Sequence, residues 1–391
     1  MTGGVAIIGG GILGTLLARE FDQILPKTGK DEPQIVIADL PDDDVDFDAE
    51  QVATRHTQGV IHRGSAYLRI PKDKEIDSFT PSELVPLFVE AGDFWSNMAQ
   101  QSPSFRSKTI VGFRAKNIAR THRRVFDNAN KIKAVDAQVP SFLKEMTAAY
   151  ESREFTLDVP AFIQQVRSNF SQRVKRISSS VELLGSTLDP VVKLDCGKKC
   201  KAGLVVLAAG TGNYELLRQL GTEFESPAQL ISILCVLVPA KIAIDHTIVL
   251  PDGSRSAILV SLKADDDSSF LLFQPTGKGS SEAETIAEFR SLFPTFWTSS
   301  CQHGFCQLPF EVGPDEAERR NGGSIVQKDN VIAAWPARLT LAPLLAKHLA
   351  LVPVNPGPVE FPQERFDSGA PQICQPFWNV IRSRFKRCDQ N

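Results

Sequence analysis

The stretch Val5-Ala-Ile-Ile-Gly-Gly-Gly-Ile-Leu-Gly14 decides the fold of this chain. Its glycines at positions 9, 11 and 14 have G-x-G-x-x-G spacing, and they stand between an apolar β-like run and a helix-like run that continues to Phe21. In such a turn Gly9 permits the tight bend, Gly11 lets the backbone approach a pyrophosphate, and Gly14 lets the helix pack on the strand. The first N–H groups of the helix then face the phosphates. The stretch predicts a Rossmann-type dinucleotide site.

Length and composition set the class of the protein. At 391 residues the chain exceeds the usual size of a single core, which favours two domains. A formal net charge of −3 gives no reason to expect nucleic acid as a partner. The seven cysteines lack the spacing of a zinc site, so we expect no metal and interpret them as structural thiols.

Residues 5–18 are apolar enough to be compared with a signal peptide. No positively charged segment precedes them, and no small-residue cleavage site follows before Arg19. No later run reaches the ~18 uninterrupted apolar residues that a membrane-spanning helix needs. We therefore expect a soluble, cytoplasmic protein.

A second predicted strand ends on an acidic residue. The run from Gln34 to Asp39 completes a β-α-β unit with the first stretch. An acid at this strand end accepts hydrogen bonds from a ribose 2′-OH. The spacing from Gly9 exceeds the usual ~20 residues, and the proline-bounded loop 26–33 accounts for the excess. Asp39 is thus the predicted ribose-binding residue.

The later segments predict further strands and helices. Residues 204–210 have the pattern of a strand buried on both faces, and they lead into Gly210-Thr-Gly212, where backbone can again approach a ligand closely. Residues 229–238 and 256–273 predict antiparallel strands of another sheet. The remaining predicted elements are a helix within 80–101, a strand and helix start through Phe155–Pro160, a strand at 330–335 and a helix over 341–351.

The order of these features resembles a known family. Its members share the glycine fingerprint, the acid after the second strand, the Asp158-x-Pro160 helix start, the strand over 204–210 and a last helix through Leu339-Thr-Leu-Ala-Pro343. This order is similar to that of the FAD-dependent D-amino-acid-oxidase-like superfamily, which includes glycine, sarcosine and glycerol-3-phosphate oxidoreductases. The stretch Thr54–Gly64 resembles the Gly-Val-Ile-His segment of the L-2-hydroxyglutarate dehydrogenase branch.

The resemblance implies an α/β fold in which a Rossmann-type FAD-binding domain, with a central parallel sheet, carries an inserted and largely antiparallel α+β substrate domain. It implies the following boundaries: 1–65, 151–222 and 323–352 for the FAD-binding domain, 66–150 and 223–322 for the substrate domain, and 353–391 for a C-terminal extension.

The resemblance also implies which residues meet FAD. The pyrophosphate and the ribose would meet Gly9, Gly11, Ile12, Leu13, Gly14 and Asp39. The flavin would run beside Thr54, Arg55, His56, Thr57, Gly59 and Val60. Gly210 would lie near the dinucleotide, and the pyrimidine edge of the flavin would lie beside Arg338, Leu339, Thr340 and Leu341. His62 matches the family's active-site histidine, a residue type suited to take a substrate proton near neutral pH. Three alternatives stay open: His62 is structural, His56 is the flavin neighbour, or a histidine here bonds covalently to the flavin.

One loop departs from the family's pattern. Relatives commonly carry a Gly-His-Gly-like segment before the last helix, where this chain has Ala334-Trp-Pro-Ala-Arg338. Pro336 supplies no N–H there, and Arg338, the second predicted catalytic residue, could replace backbone stabilisation of the reduced flavin with a charge. Trp335 has two interpretations, contact with the flavin or substrate and a place in the core.

We therefore expect an FAD-dependent oxidoreductase that transfers a hydride from a small 2-hydroxy acid or an amino acid to flavin N5, with the hydroxy acid favoured. Two alternatives are an NAD(P)-dependent dehydrogenase and a flavin-binding scaffold with little turnover. The electron acceptor is not predicted. The basic, aromatic segment 377–387 could lie on an anionic membrane surface, but a surface helix or a tail is favoured.

Overall fold

The computed structural model describes residues 3–26, 34–40, 59–69, 80–99, 105–106, 109–131, 133–143, 145–224, 230–242, 244–251, 257–265, 267–275, 280–309, 313–314, 317–320, 323–336, 338–354, 359, 382 and 385–388. The chain divides into two compact units. The first consists of Met1–Arg55, Val159–Ala228 and Glu311–Cys374, and the second of His56–Asp158, Gln229–Phe310 and Gln375–Asn391.

The predicted domain boundaries differ from these units in five segments, one of which, 223–228, belongs to the first unit and not to the substrate domain. Residues 56–65 and 151–158 belong to the second unit, because the strand at 60–61 pairs with the strand at 155–157. Residues 311–322 belong to the first unit, because the strand at 318–320 pairs with the one at 323–328. The predicted extension 353–391 is divided between the two units.

A seven-stranded sheet forms the core of the first unit. In spatial order its strands are β11 (Val174–Ser178), β2 (Ile35–Asp39), β1 (Val5–Ile8), β15 (Leu204–Leu207), β23 (Val331–Pro336), β22 (Gly323–Lys328) and β21 (Glu318–Arg320). The first five run parallel, and the last two continue the sheet antiparallel. Every residue of β1 and β15 is buried, as is typical of central strands in a parallel sheet. The predicted central parallel sheet is confirmed.

Helices and a small meander complete this unit. The helices in its described part are α1 (Ile12–Ile24), α4 (Val159–Ser168), α5 (Gly212–Gln219) and α7 (Ala342–Ala350). The meander consists of β12 (Val181–Gly185), β13 (Pro190–Leu194) and β14 (Lys199–Lys201). Leu13, Leu17 and Phe21 recur at helical spacing and are buried, and α1 contacts both α7 and α4. The helix predicted over 341–351 is confirmed as α7, which is one residue shorter at each end.

A nine-stranded sheet forms the core of the second unit. In spatial order its strands are β24 (Lys386–Arg387), β20 (Gln302–Pro309), β16 (Leu230–Pro239), β19 (Ser268–Pro275), β18 (Ala257–Lys263), β17 (Thr247–Leu250), β7 (Thr109–Phe113), β9 (Ala148–Ser152) and β8 (Val135–Ala137). The described neighbours pair antiparallel, apart from the parallel pair β17 and β7. The antiparallel strands predicted at 229–238 and 256–273 are confirmed, the second as the hairpin of β18 and β19.

Shorter elements surround this sheet. Two small sheets consist of β3 (Val60–Ile61), β10 (Phe155–Leu157) and β6 (Phe105–Arg106), and of β4 (Leu68–Arg69) and β5 (Thr80–Pro81). The described helices are α2 (Val85–Ala99), α3 (Lys116–Asn130) and α6 (Glu282–Leu292). The helix predicted within 80–101 begins only at Val85, because residues 80–81 pair with residues 68–69 as a strand.

The described end of the chain joins the nine-stranded sheet. Lys386 and Arg387 pair with β20, and the Cys388 N–H donates to the carbonyl oxygen of Cys301 across 3.1 Å. A Cβ on Gly304 would lie 2.6 Å from the Phe385 ring, so that ring packs on the bare glycine. The predicted surface helix or tail is therefore wrong at residues 386–387, which form an edge strand.

None of the helices in the described ranges combines the length and apolar character that crossing a bilayer requires.

Candidate functional site

The glycine turn between β1 and α1 occupies residues 9–11. Gly9 has a φ of +101°, and a Cβ at this position would lie 2.6 Å from the carbonyl oxygen of Ala208. Its N–H donates to the carbonyl oxygen of Ala38 across 2.8 Å. Only glycine combines the left-handed backbone with so close an approach. Gly9 therefore fixes the turn against the ends of both β2 and β15.

The start of α1 has the features of an anion site. A Cβ on Gly14 would overlap the carbonyl oxygen of Gly9, so the helix packs directly on the turn. The N-cap is Gly11, which has no side chain to cap the helix, and the first turn contains no acidic residue. The first N–H groups of a helix have no partner within the helix, and phosphates bind to them. This end of α1, at Ile12 and Leu13, suits a pyrophosphate.

Asp39 ends β2 and lies beside the glycine turn. Its backbone carbonyl accepts a hydrogen bond from the Ser179 N–H at 2.8 Å. Its carboxylate oxygen Oδ2 lies 3.2 Å from Nη2 of Arg167 and 3.8 Å from Nη2 of Arg176. The side chain is 23% exposed, so solvent and ligands can reach it. The acid stands at the strand end where the sequence puts it.

The sequence motifs do not identify two residues of this site, Gly10 and Arg167. Gly10 occupies a variable position of the fingerprint, yet a Cβ there would overlap Oδ2 of Asp39. The run of three consecutive glycines was the signal that could have found it. Arg167 lies on α4, 128 residues after Asp39, and no spacing rule joins the two positions.

The loop after β15 is fastened to β23. Trp335 is 1% exposed, and its Nε1 donates to the carbonyl oxygen of Gly210 at 3.0 Å. Asn213 bridges the same two segments: its Oδ1 accepts from the Ala209 N–H at 2.8 Å, and its Nδ2 donates to the carbonyl oxygen of Ala334 at 3.0 Å. Of the two interpretations of Trp335, the structure supports the place in the core.

The predicted pyrimidine-edge residues lie between β23 and α7. Leu339–Leu341 form a single 3-10 turn, and the Leu341 N–H donates to the carbonyl oxygen of Arg338 at 3.0 Å. Thr340 and Leu341 are fully buried, whereas Arg338 is half-buried. Arg338 and Leu339 are therefore the members of this group with surface that a ligand could reach.

His62 and its neighbours belong to the second unit. Gly59 has a φ of +71°, a Cβ there would overlap the carbonyl oxygen of Leu157, and Gly59 and Val60 lead directly to His62. His62 is 7% exposed, and its ring meets the edges of aromatic neighbours, with centroids 5.3 Å from Tyr67 and 6.2 Å from Phe88. The predicted flavin neighbours Thr54, Arg55, His56 and Thr57 lie outside the described residues.

A buried carboxylate fastens the segment that follows His62. Glu154 is 1% exposed and accepts hydrogen bonds from the N–H groups of Arg63 at 2.6 Å and Ser65 at 2.9 Å, and from the Ser65 hydroxyl. Asn130 Nδ2 donates to the carbonyl oxygen of Arg63 at 3.1 Å. The side chains of Glu154 and Asn130 thus hold the backbone after His62 in place, although neither residue belongs to a sequence motif.

His122 on α3 holds the same segment. Its Nε2 lies 3.0 Å from the carbonyl oxygen of Ser65, and its Nδ1 lies 2.9 Å from the Tyr150 hydroxyl. Because a carbonyl oxygen only accepts, Nε2 carries the proton and Nδ1 accepts from Tyr150. Burial lowers the pKa of His122 from 6.5 to about 3, although the hydrogen bond to Ser65 opposes the shift. His122 is therefore a neutral, positioning imidazole.

The sheet brings one group of the predicted residues together. The glycine turn, Asp39 and Gly210 follow the carboxyl ends of β1, β2 and β15, which are neighbours, and Arg338–Leu341 follows the next strand, β23. Ligands of open parallel sheets bind at this edge. The glycine turn, the glycine N-cap of α1 and the partly exposed Asp39 carboxylate fit a dinucleotide. Within the described residues no three His, Cys, Asp or Glu side chains are grouped to hold a metal.

Comparisons with known proteins agree with this fit. Residues 4–350 match the family model DAO, described as FAD dependent oxidoreductase. The probable FAD-dependent oxidoreductase PA4991 of Pseudomonas aeruginosa is 25% identical over 214 residues, which are 50% of this chain and 52% of that protein. The chain thus spans about half the length of this curated relative in sequence.

Solved structures extend the similarity in fold to nearly the whole chain. The crystal structure of PA4991 has a TM-score of 0.68 at 18% identity, covering 98% of this chain and 99% of that one. Iminodiacetate oxidase from Chelativorans sp. BNC1 follows with 0.63 at 16% identity, covering 93% and 98%. Glycine oxidase from Geobacillus kaustophilus has 0.58 at 15% identity, covering 88% and 93%. At these identities the likeness establishes the fold.

Proposed function

The chain belongs to the DAO family of FAD-dependent oxidoreductases, and from that premise we propose that it oxidises a small amino acid at the carbon that bears the amine. The substrate would lose a hydride from that carbon and a proton from nitrogen, and an imino acid would form. FAD, when bound, supplies the hydride acceptor. An amine substrate is supported by the names of three proteins of similar fold, iminodiacetate oxidase, glycine oxidase and L-proline dehydrogenase.

A small 2-hydroxy acid is the second candidate substrate. The resemblance of Gly59-Val-Ile-His62 to the L-2-hydroxyglutarate dehydrogenase branch supports it, and the chemistry at carbon would be the same. The FAD family match removes the reason for the NAD(P)-dependent alternative.

The edge of the parallel sheet would hold the cofactor. We assign the pyrophosphate to the Gly9–Gly14 turn and the N-terminus of α1, and the adenosine ribose to Asp39. The observation that carries this assignment is the combination of close approaches at Gly9 and Gly14 with a glycine N-cap and a first turn of α1 that contains no acidic residue. Gly210, Arg338 and Leu339 follow neighbouring strands of the same edge and would line the rest of the dinucleotide, whereas Thr340 and Leu341 are fully buried.

His62 would take the substrate proton. Histidine is the side chain that most readily changes its protonation near neutral pH, and the bonds of Glu154, Asn130 and His122 would keep the following backbone from moving as it does so. Arg338 would place a positive charge near the reduced cofactor, in a loop where Pro336 lacks the N–H that could do so.

Spectra of the purified protein test this proposal. We expect a flavin absorbance band that is bleached anaerobically by glycine, L-proline or iminodiacetate, and not by L-2-hydroxyglutarate or glycerol 3-phosphate. Bleaching by the hydroxy compounds alone would establish the second candidate instead. A bound flavin that dithionite reduces but no amino or hydroxy acid reduces would overturn both and favour the scaffold alternative.

The variants His62→Asn and Arg338→Gln test the two catalytic assignments. Both should still bind FAD. His62→Asn should be reduced by substrate at least tenfold more slowly, because the proton acceptor is lost. Unchanged rates of reduction would reject the role of the residue concerned.

A further inference from the structure

Arg167 contacts three parts of the glycine turn region at once. Its side chain projects from the last turn of α4 and is 9% exposed. Nη2 lies 3.2 Å from Oδ2 of Asp39 and also donates to the carbonyl oxygen of Gly10. Nε lies 3.4 Å from the hydroxyl of Thr15, which itself donates to the same Gly10 carbonyl at 3.0 Å. One guanidinium thus joins the end of β2, the turn and the first turns of α1.

The glycine run independently marks this contact. A Cβ on Gly10 would overlap Asp39 Oδ2 and lie 2.5 Å from Arg167 Nη2. The fingerprint itself requires glycine at 9, 11 and 14 and leaves position 10 free. The glycine at position 10 is therefore explained by the Asp39–Arg167 pair packing on the backbone, and not by the pyrophosphate.

The charges of this cluster favour an anionic ligand. Arg167 and Arg176 both approach the single carboxylate of Asp39, so the three side chains together carry one excess positive charge. A guanidinium has fixed, planar donors, so its bonds to Asp39 and to Gly10 set the direction of the carboxylate relative to the turn. The second carboxylate oxygen would then accept from ribose hydroxyls.

We propose that Arg167 is a positioning residue of the dinucleotide site, which orients Asp39 and the Gly10 carbonyl for the adenosine half of FAD. The inference rests on the proposed contact between Asp39 and the ribose. Arg167 acts through Asp39, so its contribution to FAD affinity depends on that carboxylate being present.

A double-mutant cycle on FAD binding tests this inference. Dissociation constants of FAD from the apoprotein are measured by flavin fluorescence for the wild type, Asp39→Asn, Arg167→Gln and the double variant. Arg167→Gln and Asp39→Asn should each weaken binding by about tenfold to a hundredfold, the range of one lost charged hydrogen bond. The double variant should be scarcely weaker than Asp39→Asn alone. Arg167→Lys keeps the positive charge but loses the planar donors of the guanidinium, so its FAD dissociation constant should lie between those of the wild type and Arg167→Gln.

Arg173 supplies the matched control. It pairs with Asp22 of α1 at 3.1 Å, with side chains 15% and 13% exposed, and it also bonds the carbonyl oxygen of Leu25. Arg173→Gln removes an equally buried ion pair of the same unit that does not touch the glycine turn. It should lower the melting temperature and leave the FAD dissociation constant within twofold of wild type.

The outcomes separate this inference from the proposed site. If Asp39→Asn weakens FAD binding and Arg167→Gln and Arg167→Lys do not, the positioning role is rejected and the site stands. Additive losses in the double variant would also reject it, because Arg167 would then act on the ligand directly. If Asp39→Asn leaves binding unchanged, the ribose contact itself is rejected.

Discussion

The indole Nε1 of Trp335 donates a hydrogen bond across 3.0 Å to the carbonyl oxygen of Gly210, and so joins the end of β23 to the loop that follows β15. The two segments are 125 residues apart in the chain. Trp335 is 1% exposed and its ring lies 5.3 Å from that of Tyr214. The indole thus links two neighbouring strand ends at the edge of the parallel sheet where the predicted cofactor residues lie.

Removing this bond should loosen the edge. Trp335→Phe loses the N–H donor and part of the ring volume, so we expect the free energy of unfolding to fall by about 1–3 kcal/mol. FAD affinity should fall as well, because Gly210 borders the proposed site. Denaturant titration followed by circular dichroism and FAD titration measure the two effects. Trp297→Phe, in the second unit, is the control and should leave FAD affinity unchanged; equal losses in both variants would contradict the explanation.

Two glycines in the first turns of their helices should respond oppositely to alanine. Gly14→Ala puts a Cβ into the carbonyl oxygen of Gly9, so we expect FAD binding to be lost and the melting temperature to fall. At Gly212 the nearest atom to a new Cβ is Ala209 Cβ at 3.4 Å, an ordinary contact. Gly212→Ala should be neutral or stabilise by up to about 1 kcal/mol. Retention of tight FAD binding by Gly14→Ala would refute the assignment of the turn.

The buried carboxylate of Glu154 should matter more than an exposed one. Glu154→Gln keeps the size but cannot accept from Arg63, Ser65 and the Ser65 hydroxyl with a full charge, so we expect a loss of about 1–3 kcal/mol in the free energy of unfolding. Glu182 pairs with Lys193 at 2.7 Å but is 49% exposed. Glu182→Gln should therefore change stability by less than about 0.5 kcal/mol. Urea titration compares them, and similar losses would show that the Glu154 bonds contribute little.

His122 should make the protein less stable in acid. The folded-state pKa of about 3 lies below the ordinary value of 6.5, so the unfolded chain binds the extra proton between these values. The free energy of unfolding then falls as the pH is lowered through this interval, by up to about 1.4 kcal/mol for each pH unit. The variant His122→Gln should be less stable than the wild type at pH 7, because it lacks the imidazole's hydrogen bonds. Its free energy of unfolding should nevertheless fall less than that of the wild type between pH 7 and pH 4.5. Parallel pH profiles of the two proteins would exclude His122 as the cause.

The parts of the site that local spacing encodes could be predicted from the sequence. Gly9, Gly14 and Asp39 lie where the fingerprint indicates, because a strand, a turn and a helix in succession leave little choice of geometry. Arg167 and Glu154 could not be predicted. Their bonds join residues 128 and 91 positions apart, and only the completed sheets bring those partners together.

The fold was predictable to a similar extent. Long apolar runs such as 229–238 predict strands, and these strands belong to the seven-stranded and nine-stranded sheets. The strand at 386–387 is two residues long and has no pattern of its own; it forms because β20 offers it an open edge. Trp335 illustrates the same limit, since an indole in a buried strand has the same local signal whether its neighbour is a ligand or Gly210.

The strand order β2-β1-β15-β23 has a consequence for biosynthesis. β1 is made first, but its neighbour β15 begins at Leu204 and the next strand only at Val331. At translation speeds of about 5–20 residues per second, roughly 15 to 65 seconds separate the synthesis of β1 from that of β23. Through this interval the glycine turn emerges without the strands that complete its surroundings. We therefore expect the proposed cofactor site to be completed only late in synthesis, and the nascent apolar strand β1 to be prone to wrong contacts until its neighbours have been made.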